Sequence, residues 1–139
     1  MTPVFQKFYA RYPGERPAPG VFGDCFSAAL ASVLDLPLAE VPHFAEVSKG
    51  DVSMFWWHVN RFLAARDLLL IQTMGTDFQG VRFAGAADCY HLILATDVDG
   101  DGHTLVGLNG KIVFDPAPSK PVLATDPKQF IFGFLVRST

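Results

Sequence analysis

Two cysteines and four histidines are the residues of this 139-residue chain best suited to nucleophilic and proton-transfer chemistry near neutral pH. Cys25 sits in the stretch Gly23-Asp24-Cys25-Phe26, just where a helical pattern begins. A cysteine at the first position of a helix meets unpaired backbone N–H groups and the positive end of the helix dipole, which favour a thiolate. Asp24 beside it partly opposes that charge. The same position also suits a small buried core residue, and position alone does not choose between the two.

A cysteine nucleophile needs a base and a group that orients the base. GHTLVGLNGKIVFDP, residues 102–116, contains both types and reads as a β-hairpin around Asn109-Gly110. With a three-residue loop, Leu108 to Gly110, Gly107 faces Lys111 and His103 faces Asp115. Directly opposed residues share a face of the sheet, so the aspartate can hold one imidazole nitrogen and leave the other for Cys25. A two-residue Asn-Gly turn shifts the register by one and sends the two side chains to opposite faces. As a plain alternative, His103 and Asp115 are polar strand ends at a sheet rim.

The elements that must position these residues follow from periodicity. Residues 12–20, YPGERPAPG, are dense in Pro and Gly and read as a surface loop. Asp24 is a suitable N-cap. After it, Phe26, Ala29, Leu30, Val33 and Leu34 recur at helical spacing. The small residues Ala28, Ala29, Ala31 and Ser32 predict a helix packed closely on several sides, ending before Pro37. LAEVPHF reads as a turn or short helix. A second helix starts near Asp51 or Ser53 and runs to about Arg66, with Phe55, Trp56, Val59, Phe62 and Leu63 on its apolar face. Strand patterns then cover 68–73, 90–96, 103–108, 111–115 and 130–136. Helices first and strands later predict one α+β domain over residues 1–139, with a mostly antiparallel sheet.

Composition narrows the function classes. Half of the residues are hydrophobic, 13 are Phe and 18% are charged, which excludes a disordered chain. A net charge of −3 and a pI near 5.7 argue against a nucleic-acid-binding surface. Mean hydropathy is +0.25, yet the longest apolar stretch, Phe55 to Gln72, carries His58, Asn60, Arg61, Arg66 and Asp67, so no membrane association is expected. The N-terminus has no signal-peptide layout, which points to the cytoplasm. There the two cysteines are expected as free thiols. A phenylalanine-rich chain this small leaves open a homodimer that hides apolar surface.

GDCFSAALASVLDLPLAEVPHF, followed downstream by GHTLVGLNGKIVFDPAPS, resembles a family of small papain-like cysteine-peptidase-fold proteins of phages and bacteria, similar to bacteriocin-processing peptidases. The resemblance rests on the Gly-Asp-Cys-aromatic helix start, the Leu-Pro-Leu-x-x-Val-Pro stretch, and the later His and Asp-Pro. It implies a papain-like fold in which the cysteine-bearing helix packs on the sheet. It makes Cys25 the nucleophile, His103 the general base and Asp115 its orienter. Papain-like enzymes place a Gln upstream of the cysteine at the oxyanion hole, and Gln6 is the upstream Gln of this chain. The implied activity is a cysteine hydrolase, peptidase- or amidase-like, acting on a peptide or protein substrate without metal or cofactor. A catalytically idle member that binds and inhibits a protein partner is the alternative within the same fold. Residues 50–87 are poorly matched by the resemblance.

Other constellations compete. DVDGDG, from Asp97 to Gly102, matches the first half of a calcium loop, but the twelfth position is Leu108 rather than Glu. It reads as an acidic loop. Cys89 and His91 share one strand face and, with Cys25 and His103, supply four ligands for a small metal-binding module, although the spacing is not typical of zinc. His91 is also the rival to His103 as base. His43 and His58 read as surface or helix-face residues. Trp56 and Trp57 must point about 100° apart, one inward and one outward. The Phe130-Phe132-Phe134 alternation reads as the buried face of a strand.

Overall fold

A computed structural model describes residues 1–8, 22–74, 83, 85, 87–98, 100–118, 122–126 and 129–138. The Pro-rich stretch 12–20 and Asp99 of the acidic loop lie outside them. Helices come first, α1 (Cys25–Leu34), α2 (Phe44–Ser48) and α3 (Val52–Ala64), with a single 3₁₀ turn at Leu38–Glu40. Strands β1 (Leu68–Thr73), β2 (Tyr90–Thr96), β3 (Gly102–Leu108), β4 (Lys111–Phe114) and β5 (Ile131–Arg137) follow. They form one antiparallel sheet in the order β1-β5-β2-β3-β4. The α+β reading therefore holds.

α1 is buried along most of its length because its side chains are small. Ala28, Ala29, Leu30, Ala31 and Ser32 expose no surface. Residues of this size let the helix axis approach the sheet closely, and Leu92 and Val106 from β2 and β3 close the core beneath it. Asp35 ends the helix in the left-handed conformation, with its N–H turned back to the last carbonyls, two residues before Pro37. α3 begins at Asp51, whose carboxylate accepts the Met54 N–H at 2.9 Å. Val59 and Leu63 are its buried stripe. Phe55 and Phe62 join Phe26 and Phe44 in an edge-to-face aromatic cluster. Trp56 packs edge-on against Phe26 while Trp57 is 47% exposed, the expected division of the pair.

The opposite face of the sheet carries a second core of Ile93, Ala95, Leu105, Phe130 and Phe132, joined by Phe83, Leu123 and Phe134. The Phe130-Phe132-Phe134 alternation lands there as expected.

The hairpin joining β3 and β4 takes the shorter of the two turns open to its sequence. Its turn has two residues, not three, and Leu108 rather than Gly107 faces Lys111. Asn109 and Gly110 both take positive φ, 49° and 86°, the signature of a type I′ turn. Left alone, that turn would put His103 and Asp115 on opposite faces. A β-bulge prevents it: Gly107 faces Ile112, but Val106 faces Phe114, so Val113 is an extra residue. The extra residue inverts the parity of everything beyond it. Asp115, next after Phe114, thereby returns to the side-chain alternation of Leu105 and His103.

Candidate active site

Each candidate residue lies at the end of an element. Cys25 opens α1. His103 is the second residue of β3, opposite Ala95. Asp115 follows the last residue of β4. The His103 Nε2–H donates to Asp115 Oδ1 at 2.7 Å. The Ala117 N–H donates to the same oxygen at 2.9 Å, which holds the carboxylate in place. His103 is 6% exposed and the Asp115 side chain 12%, so water screens the pair little.

Cys25 lies near enough to the His103 ring to favour its protonated form. With Nε2 on Asp115, Nδ1 is the nitrogen that remains for the sulfur. Burial alone would depress the imidazole. The hydrogen bond to Asp115, the neighbouring Cys25 and the Asp115 charge outweigh it and raise His103 to about 9. The imidazole therefore keeps its proton at neutral pH.

Asp24 does not behave as the sequence suggests. It occupies the N-cap position of α1, but its side chain caps nothing there. Both carboxylate oxygens instead accept backbone N–H groups of the N-terminal segment, from Phe8 at 2.8 Å and Lys7 at 3.1 Å. Gln6 is consequently buried at 7% exposure. Its backbone N–H donates to the Pro116 carbonyl at 2.9 Å and its Nε2 to the Phe8 carbonyl at 2.9 Å. Gln6 is thus held between the neighbour of Asp115 and the neighbour of Cys25, despite the long sequence separation. Neither the Asp24 carboxylate contacts nor the Ala117 N–H were legible beforehand, because both join residues with no shared local pattern.

The other histidines have structural roles. His91 is fully buried against Phe83, Phe132 and Phe134. Its Nδ1 lies 3.1 Å from the Leu92 carbonyl and its Nε2 accepts the Gly110 N–H at 3.1 Å. Both nitrogens are occupied, so His91 is unsuited to be the base or a zinc ligand, and burial depresses its pKa. Gly107 lies against this ring: a Cβ there would be 2.3 Å from His91 Cε1. Cys89, a half-buried free thiol, exchanges two backbone bonds with Asn109, at 2.9 Å to its Oδ1 and 3.0 Å from its N–H. His43 is not a free surface residue. It caps α2, with Nδ1 accepting the Glu46 N–H and Nε2 donating to the Phe22 carbonyl. His58 lies on α3 edge-on to Trp57.

In the acidic loop the Asp101 N–H donates to Asp97 Oδ1 at 3.0 Å, and Asp97 is 4% exposed. Among the described residues no group of three or more His, Cys, Asp and Glu side chains is arranged to hold a metal ion. None of their helices is singly long and apolar enough to cross a membrane. A shallow groove of about 230 Å³ between α2 and α3 is lined by Ala45, Ser48, Gly50, Asp51, Val52, Phe55 and Trp56, and thus by none of the residues named above as chemical. No protein family, curated protein or solved structure matches the chain.

Proposed function

We propose that this protein is a papain-like cysteine hydrolase, related to the small phage and bacterial peptidases its motifs resemble, that cleaves an amide or related acyl bond of a peptide or protein. The observation that carries the reading is the buried 2.7 Å bond between His103 and Asp115 on an imidazole whose protonated form Cys25 also favours.

The chemistry follows from where the protons lie. His103 enters the cycle protonated, and the reading requires the Cys25 sulfur beside it to attack as a thiolate, without a further base. The sulfur bonds to the acyl carbon and the carbonyl electrons move onto oxygen. That oxyanion is met by backbone N–H groups at the start of α1 and by the Gln6 amide. His103 then gives its proton to the leaving amine as the C–N bond breaks. Now neutral, it takes a proton from water, whose oxygen attacks the thioester, and release of the acid restores the ion pair. Asp115 keeps the ring oriented through both halves and opposes loss of the imidazolium charge.

The test is the pH profile of thiol alkylation, read by mass mapping. Iodoacetamide should modify Cys25 below pH 7 much faster than Cys89, and the advantage should disappear in His103→Gln. Equal, slow labelling of both thiols removes the reading.

A further inference from the structure

The negative charge of Asp24, one residue from the proposed nucleophile, is turned away from it. A carboxylate at an N-cap ordinarily bonds the second or third N–H of its helix and neutralises the dipole there. Here the side chain makes no such bond. It takes two N–H groups from Lys7 and Phe8, and its own N–H reaches the Phe8 carbonyl at 3.4 Å. That carbonyl is the same atom that accepts Gln6 Nε2. Gln6 Nε2 and the Asp24 N–H thus converge on one oxygen, and the link back to α1 runs through the Asp24 carboxylate.

We infer that Asp24 is a positioning residue, a clamp that docks the N-terminal segment onto the start of α1 and so sets the Gln6 amide beside the Cys25 sulfur. The placing of the amide at Cys25 rests on the hydrolase reading, whereas the hydrogen bonds of the clamp do not. Phe8 also stacks on His43 at 5.3 Å between ring centroids, a contact with the start of α2 rather than α1. The Pro116 bond fixes the Gln6 main chain from the other side, so the clamp decides where the Gln6 side chain lies rather than whether the segment is held at all.

Two probes separate this role from a merely structural one. Acylation by p-nitrophenyl acetate forms a sulfur–carbon bond, passes through an oxyanion and expels p-nitrophenolate. Alkylation by iodoacetamide forms a sulfur–carbon bond and expels iodide with no oxyanion. Gln6→Ala should slow acylation of Cys25 about 10²-fold, the usual loss for one oxyanion donor. Asp24→Ala should slow it comparably, the double variant should be no slower than Gln6→Ala, and alkylation should be unchanged in all three. Asp24→Asn, which keeps one acceptor oxygen and is the milder change if the alanine variant misfolds, should fall between. Multiplying effects in the double variant, or parallel loss with both probes in a folded protein, overturn the clamp. Amide exchange reads it without any catalysis: Lys7 and Phe8 should lose protection in Asp24→Asn, and unchanged protection also overturns it. Failure of the unmodified protein to react preferentially at Cys25 counts against the hydrolase reading, while the exchange result still decides the clamp.

Discussion

Removing the Asp115 carboxylate is the sharpest perturbation of the site. Its Oδ1 takes two donors, His103 Nε2–H at 2.7 Å and the Ala117 N–H at 2.9 Å. Asp115→Ala leaves both unpaired in a place with little water, and one of them carries a charge. Hydrogen bonds to charged groups contribute about 1.5–3 kcal/mol, and breaking a buried pair costs about 3–5 kcal/mol. With the carboxylate 12% exposed, we expect a loss of about 3 kcal/mol at pH 6, near the low end of that second range. Asp115→Asn should cost about 1 kcal/mol, because its carbonyl oxygen can accept both bonds and only the charge assistance is lost. The pH dependence has a definite sign. His103 is raised from 6.5 to about 9 in the folded protein, so the stability it contributes is complete below pH 6.5 and lost as pH rises through about 9. The difference between the unmodified protein and Asp115→Ala should therefore be largest at pH 6 and shrink towards pH 10. Urea unfolding followed by circular dichroism at pH 6, 8 and 10 measures it. A difference that stays constant to pH 10, or an alanine variant as stable as the parent at pH 6, refutes the reasoning.

Two further predictions concern the sheet face behind the hairpin. Gly107→Ala puts a Cβ 2.3 Å from His91 Cε1 and 2.8 Å from Ile93 Cδ1; two buried neighbours must move, and urea unfolding should show a loss of about 3 kcal/mol, with less than about 1 kcal/mol contradicting the close approach. Burial lowers the pKa of His91, so below pH 6.5 the unfolded chain takes up a proton that the folded protein refuses and stability falls. His91→Gln, whose amide can still accept the Gly110 N–H, should flatten that acid limb in unfolding curves; an unchanged slope would show that His91 does not supply it.

Much of the architecture was legible because it is written in local period. The small-residue run after Asp24 specifies a deeply buried helix, and the runs at 68–73 and 90–96 became β1 and β2 without displacement. A side chain every 100° or every 180° is a property of neighbouring residues, and neighbours are what a sequence displays. Short or capped pieces were harder. The turn or short helix expected over LAEVPHF is the 3₁₀ turn at Leu38–Glu40, but α2 was not read, since its five residues are too few for a period and its start depends on His43 accepting the Glu46 N–H.

For the site, the sequence by itself determined which residue types were on offer and their order: a cysteine at a helix start, then a histidine and an aspartate at the two ends of a hairpin. It could not determine that the last two meet. The Asn109-Gly110 turn favours a two-residue loop, and that loop alone separates His103 from Asp115. Only the bulge at Val113 brings Asp115 back, and a bulge is selected by how two strands pack over a core, not by the residue that bulges. In the same way, Asp24 is indistinguishable from an ordinary cap in the sequence. Its carboxylate goes to Lys7 and Phe8 instead, because the fold returns the N-terminal segment past the start of α1, and a charged oxygen bonds whichever donors the tertiary structure brings within reach.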